Sequence, residues 1–441
     1  MLRLAQLLAG TALATLCIGL ACSDEVPSFE TPPDEAPSVS LSAAESTGDS
    51  FHIETPVHSD GLMHHYVVVS QFGNFAAYGH DALLERLHEV AALDSIARTS
   101  DAEVALASVG RALRANAGAV ADLARNPVGA VTGIPRGIGH LFGGYRARAE
   151  ELSTDVQRHH GDSGAQPSGS SVASRGGAQA KKYADSYLGV SKAERRCYQK
   201  FGVDPYTRNQ VLRDAIRHLA KVDAATTLGM RFVPVAGIPY AGEVDRALHA
   251  IYNEDPAVLR KRRREALSGY GLTAQEIQAF ESSALLTPTR QTELVDAAAA
   301  LPDVAGRDEL FRHALAVTFE EEVQVFLHST ALLLHFHQRN PVTRILTGVR
   351  LPAARLADGR VAVFGAFDAV YWTTTVSEYA QSLAQTLPAD AVGRDAWLSG
   401  SVSARARAEL EQRGWRVVDR AEQVLAAGTT AATASSSHRG L

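Results

Sequence analysis

Cysteine is nearly missing from this chain: Cys17, Cys22 and Cys197 are the only three in 441 residues. That scarcity excludes a disulfide-stapled scaffold and every zinc site built on paired thiolates. Sixteen histidines are present, but no HExxH accompanies them, so the common metalloprotease helix is also excluded. No P-loop, no GxSxG and no kinase set occurs. Positive charge is not in excess, with 43 Lys and Arg against 49 Asp and Glu and a net charge of −6. A mildly acidic chain is a poor binder of phosphate backbones, so nucleic acid is not an expected partner. Beyond the first 22 residues no apolar run approaches the ~20 residues that a spanning helix needs.

What is present begins with an export signal. MLRLAQLLAGTALATLCIGLAC has a small positive start at Arg3 and a mostly apolar stretch from Leu4 to Leu20. Residues 1–21 are read as signal peptide. Ala21-Cys22 resembles the lipobox of bacterial lipoproteins, in which the cysteine is lipidated and becomes the new N-terminus. Gly19 departs from that pattern, because a larger aliphatic is usual three residues before the cysteine. Cys22 is therefore the expected lipidation site, and the membrane, through an N-terminal lipid anchor, the expected partner. The expected location is the bacterial cell envelope, on the periplasmic face of a membrane or at the cell surface, with plain secretion as the alternative.

Composition then divides the chain. Residues 22–50 are acidic and rich in Pro and Ser, which predicts a disordered tether. Residues 51–157 read as an N-terminal α+β region. Tyr66–Ser70 and Phe75–Tyr78 form a hairpin around Gly73-Asn74, and Leu83, Leu87, Val90 and Ile96 recur at helical spacing. A capping box at Ser100–Glu103 opens a further helix, and Gly129–Tyr145 carries glycines four apart. Residues 158–180 are a Gly/Ser-rich linker. Its Gly161-Asp162-Ser163-Gly164 matches a serine-protease tetrapeptide, but a flexible tract cannot hold an oxyanion hole. Residues 181–425 read as a helical domain with a β-hairpin, and 426–441 as a disordered tail.

Helix starts in the larger region are explicit: Ser191–Glu194, Asp204-Pro205, Asp255-Pro256, Thr273–Glu276, Thr287-Pro288 and Ser403. The basic run Arg260–Arg264 falls inside one helix, as a solvated face or a contact for anionic lipid. Asp308–Gln338 is the central element, amphipathic first and then apolar on nearly every side, which predicts one long helix wrapped by others. The predicted fold is mainly α, a multi-helix bundle around that helix with one or two small antiparallel β-hairpins. Asp358-Gly359 marks a hairpin between Val349–Leu356 and Arg360–Phe364.

Catalytic chemistry is thinly signalled. Glu321, His328 and His335 share a helix face, but seven residues separate them by roughly 10.5 Å, too far for one metal. No metal site and no cofactor are expected. Glu321 or Glu322, if turned inward, would be a carboxyl of raised pKa, and Asp368 is set among apolar residues in FGAFDAVYWT. Glu321, Glu322, His328 and Asp368 are the candidate catalytic residues. The segments GVDPYTRNQVL (202–212), LTPTRQTELVDA (286–297), GRDELFRHALA (306–316), DGRVAVFGAFDAVYWT (358–373) and SGSVSARARAELEQRGWRV (399–417) resemble a family of exported bacterial proteins. That resemblance covers residues 60–420 without the linker and implies export but no activity. Two functions are expected: a non-catalytic lipoprotein that binds or scaffolds an envelope protein, or an envelope hydrolase with its site beside the central helix. A deep pocket on the candidate side chains favours the enzyme, and a filled core with a broad apolar patch favours the binder.

Overall fold

The computed structural model describes residues 29–98, 190–221 and 242–427. The helix expected from Ser100 to about Arg125, the glycine-rich stretch at 129–145, the 158–180 linker, the signal peptide and Cys22 lie outside these residues. Two five-stranded sheets, a two-stranded pair and the helices around them make up the described part. The first sheet has the order β1 (Thr47–Gly48), β2 (Phe51–Ile53), β4 (His64–Ser70), β3 (His58–Ser59), with β5 (Gly73–Tyr78) also paired to β4. All of its pairings are antiparallel. One face is covered by the helix His80–Ala97, through Leu83, Leu87, Val90 and Ile96, and the helices Gln210–Lys221 and Lys192–Phe201 extend the same core beyond it.

The second sheet runs β12 (Trp415–Val418), β10 (Arg394–Leu398), β8 (Val361–Gly365), β7 (Ala353–Leu356), β6 (Val342–Ile345). β6, β7 and β8 pair antiparallel, whereas β8, β10 and β12 are parallel. The helices Thr374–Thr386 and Ala404–Gln412 fill the two crossovers between parallel strands. Val361 and Val363 face those helices, while Ala362 and Phe364 face the helix Glu320–His337 on the other side. The result is helix, sheet, helix. A third, two-stranded parallel pair joins β9 (Ala369–Val370) to β11 (Ser401–Val402).

This architecture corrects the mainly-α bundle with one or two hairpins. β8 is buried at all five positions, so the polar alternation that advertises a strand is absent. The parallel partners also lie a whole crossover apart in sequence, beyond the reach of any local pattern. The Asp358-Gly359 hairpin is found where expected, with Gly359 at φ +85°. Most of the caps are also found: Ser191 and Thr273 make full capping boxes, and Asp255, Thr287 and Ser403 accept the expected N–H bonds. Asp204 does not cap the next helix. Asn209 does, accepting from the Leu212 N–H at 3.1 Å, which leaves the Asp204 carboxylate to Thr289 at 2.7 Å.

Two further differences bear on the site. The central helix is two helices, Asp308–Ala316 and Glu320–His337. Phe319 is extended at φ −130°, ψ 155°, and the Glu322 carboxylate accepts the Thr318 N–H at 2.9 Å. That bond satisfies a donor that a continuous helix would have used, and the chain turns there. Second, the tether read over 22–50 is ordered from Phe29 onward. Glu30 exchanges backbone and side-chain bonds with Trp372, at 2.8 Å and 2.5 Å, and also accepts from the Ser403 hydroxyl at 2.6 Å. Glu35 pairs with Val57 as an isolated antiparallel bridge. Proline-rich composition signals a lack of self-sufficient core, and here a neighbouring surface supplies the missing bonds.

Candidate functional site

The three parallel strands end on one side of the second sheet, and a cavity of about 680 Å³ opens there. Ala366–Ala369 follow β8, Ser399–Ser401 follow β10, and Arg420, Glu422 and Gln423 follow β12; all line it. The crevice beyond the carboxyl ends of parallel strands is the usual place for ligands in such sheets, because the loops there diverge. The opposite wall comes from β4, with His64 and Tyr66, and from the first turn of the helix His80–Ala97, with His80 and Asp81, and His328 enters from the central helix.

Asp368 ties these walls together. Its backbone N–H donates to the Leu62 carbonyl at 3.0 Å. Its carboxylate accepts from the His64 N–H at 2.8 Å and the His80 N–H at 3.1 Å. Gly400 packs flush against it: a Cβ there would sit 1.9 Å from the Asp368 carbonyl oxygen. Burial pushes the Asp368 carboxyl above its ordinary range, against the pull of those two N–H donors and the His64 ring.

Three histidines around this cavity each face a carboxylate. His64 Nδ1 lies 3.8 Å from Asp368 Oδ2 and 3.1 Å from the Tyr66 hydroxyl. His80 Nε2 lies 3.0 Å from Glu45 Oε1, and His328 Nδ1 lies 2.8 Å from Asp81 Oδ2. His64 is 5% exposed, and its Nε2 has no hydrogen-bond partner. A buried, unsatisfied ring nitrogen on the wall of a cavity is costly unless something in the cavity uses it. Burial pushes the Tyr66 phenol far up, so it keeps its proton. The carboxylate beside Nδ1 favours a proton on that nitrogen, which leaves the Nε2 lone pair without a partner.

His328 is in a different state. Burial works against charge on it, but the Asp81 carboxylate, with Glu293 and Glu85 behind, holds its imidazole above the ordinary value. Asp81 in turn lies below its ordinary value, burial being outweighed by the His328 and His80 charges. The wall of one cavity thus holds a histidine with an unpartnered ring nitrogen and an imidazole stabilised as the cation. Hydroxyls of Tyr371 and Ser401 complete a polar lining.

Of the residues singled out from sequence, the structure brings Asp368 and His328 into this cavity and leaves the two glutamates out. Glu322 is 2% exposed and caps the helix as described. Glu321 is half-buried in the first turn, next to Tyr78. His64 was missed, because its place beside Asp368 depends on a contact across 304 residues. No group of three or more His, Cys, Asp or Glu side chains among the described residues is arranged to hold a metal ion. Cys197 is buried, and burial pushes its thiol up, away from reactivity. No helix among the described residues is long and apolar enough to cross a membrane. Comparison with protein-family models, curated proteins and solved structures gives no match, so a functional assignment rests on the chemistry of this cavity.

Proposed function

We propose that this protein acts on a small polar substrate by general acid–base catalysis, as a hydrolase of the cell envelope. The observation that carries it is the pairing of His64 with Asp368, 3.8 Å apart, on the wall of a 680 Å³ polar cavity at the strand ends, with the buried His64 Nε2 left unpartnered. His64 is the base that takes a proton from water or a substrate hydroxyl. Asp368 and Tyr66 orient its ring. His328, paired with Asp81, supplies a proton or stabilises negative charge on the substrate. A correctly placed base of this kind contributes about 10²–10⁴ in rate.

The alternative is a non-catalytic binder of an envelope partner. Support for it in a surface is thin: the large apolar side chains exposed among the described residues are Phe29 and four valines, Val39, Val258, Val392 and Val424. A ligand held in the same cavity without turnover is the form of that alternative that fits the geometry. Export and lipidation at Cys22 belong to the proposal too, supported by the leader alone.

The test uses purified full-length protein and a panel of chromogenic esters, phosphate esters and glycosides. Hydrolysis of one class is expected, with kcat falling by about 10²–10⁴ in His64→Gln and the fold retained. Activity that survives His64→Gln unchanged rules out the base. Binding of a compound without turnover moves the assignment to the ligand-binding alternative.

A further inference from the structure

The basic run Arg260–Arg264 is not a uniform solvated face. Lys261 and Glu265 approach to 3.8 Å, Arg262 pairs with Glu254 at 2.8 Å, and Arg264 pairs with Glu281. Arg260 and Arg263 make no ion pair with any described residue, and both line a separate pocket of about 220 Å³. At ~30 Å³ for each water in the liquid, that is room for roughly seven waters. Arg263 is 6% exposed. Its Nη1 donates to the Thr292 hydroxyl at 3.2 Å and, at 3.5 Å, to the Pro288 carbonyl, while its Nε has no partner. Burial pulls the guanidinium below its ordinary value, opposed by Tyr206 and Glu281. A buried arginine without a carboxylate costs several kcal/mol in general.

We propose that this pocket binds a small oxyanion, a phosphate or phosphomonoester group held between Arg263 and Arg260. The two arginines are one helical turn apart, so both guanidinium groups can reach one ligand. A planar fork with unused donors matches tetrahedral oxyanions, where a single ammonium would not. Glu281 also lines the pocket, but Arg264 offsets its charge, so the lining stays positive overall. Tyr206 and Gln278 add polar groups at the wall.

Thermal unfolding of the full-length protein in inorganic phosphate, against chloride at matched ionic strength, tests this. A saturable rise in Tm with phosphate is expected, as for any ligand that binds only the folded state. Arg263→Met should leave the phosphate-free Tm unchanged or higher, because an uncompensated buried charge is gone, and should abolish the phosphate response. Arg260→Ala, at the more exposed position, should weaken phosphate binding by about tenfold or more. If Arg263→Met fails to fold, the Arg260→Ala titration decides alone. Vesicles of phosphatidic acid, a phosphomonoester, against phosphatidylcholine separate the two sources of the group: Arg260-dependent binding to the former without a response to free phosphate assigns a lipid headgroup. The proposal is overturned by no saturable response to either probe. It is equally overturned by a response that the substitutions leave intact, or by a phosphate-free loss of Tm in Arg263→Met with phosphate binding retained.

Discussion

Asp368 combines two tasks that are usually separate. It fastens the ends of the N-terminal sheet to the second sheet through the N–H groups of His64 and His80, and it sets a negative charge beside the His64 ring. Both tasks require the Asp368 backbone to lie where β10 passes it, and Gly400 makes that approach feasible. Alanine at 400 would place a methyl against the Asp368 carbonyl, a backbone atom that cannot swing away. Gly400→Ala is therefore expected to cost about 1–3 kcal/mol, the usual range for overpacking, as a lower urea midpoint. Because the strain lands on the site, activity should fall with it. An unchanged midpoint would show that the loop yields cheaply.

At the scale of elements, the break between Ala316 and Glu320 decides what the three glutamates do. In one continuous helix they would fan over three directions with one turned to the core. With the break, each has a distinct task. Glu320 bonds Arg290 at 3.0 Å and also Arg208, Glu321 is half-buried, and Glu322 holds the Thr318 N–H. Glu322→Ala is expected to lower stability by about 0.5–1.5 kcal/mol, the net worth of a typical hydrogen bond, with kcat unchanged. Glu322→Gln, which keeps an acceptor oxygen, should recover most of that loss. A large fall in kcat for a stably folded Glu322→Gln would mean the carboxylate takes part in the chemistry. Val317 and Thr318 are both β-branched, and that pair is the one local hint of the break.

For the whole molecule, stability is coupled to pH through carboxyl groups shut between the two sheets' helices. Burial pushes Glu293 up to about 7 and Asp204 up to about 6. Glu293 faces His328, Arg290, Asp204 and Glu85, so the attraction of two cations is set against the repulsion of two carboxylates. A carboxyl raised in the folded state holds its proton more tightly there than in the unfolded chain. Its contribution to stability is therefore complete below 4.5 and is lost as pH rises through about 7. Glu293→Gln, fixed in the uncharged form, should flatten the fall in urea midpoint over that window and be the more stable protein above it. A slope equal to the wild type would place the titration elsewhere. Position relative to a membrane is also a property of the whole chain. If Cys22 is lipidated, only residues 22–28 separate the lipid from Phe29, and a fully extended stretch of that length reaches at most ~25 Å. The body would then sit against the membrane rather than range from it. Cys22→Ala is expected to move the protein from the membrane pellet to the soluble fraction, or to leave it as unprocessed precursor. Wild type that is soluble and carries no acyl mass returns the assignment to plain secretion.

By itself the sequence determined whatever depends on neighbours within a few residues. Ser191, Thr273, Asp255, Thr287 and Ser403 announce helix starts because a cap is a bond between a side chain and an N–H two or three residues on. Asp358-Gly359 announces a hairpin because only a residue such as glycine suits the backbone at φ +85°. Asp368 and His328 were marked as unusual, a carboxylate and an imidazole among apolar neighbours, though nothing local said that they share a cavity. Tertiary structure alone decided the parallel half of the second sheet, whose central strand β8 is buried on both faces and whose strands pair across whole helices. It also ordered residues 29–50, whose partners Trp372 and Ser403 lie more than 340 residues away. The pairing of His64 with Asp368 has the same origin, since their contact joins chain segments that no local pattern relates.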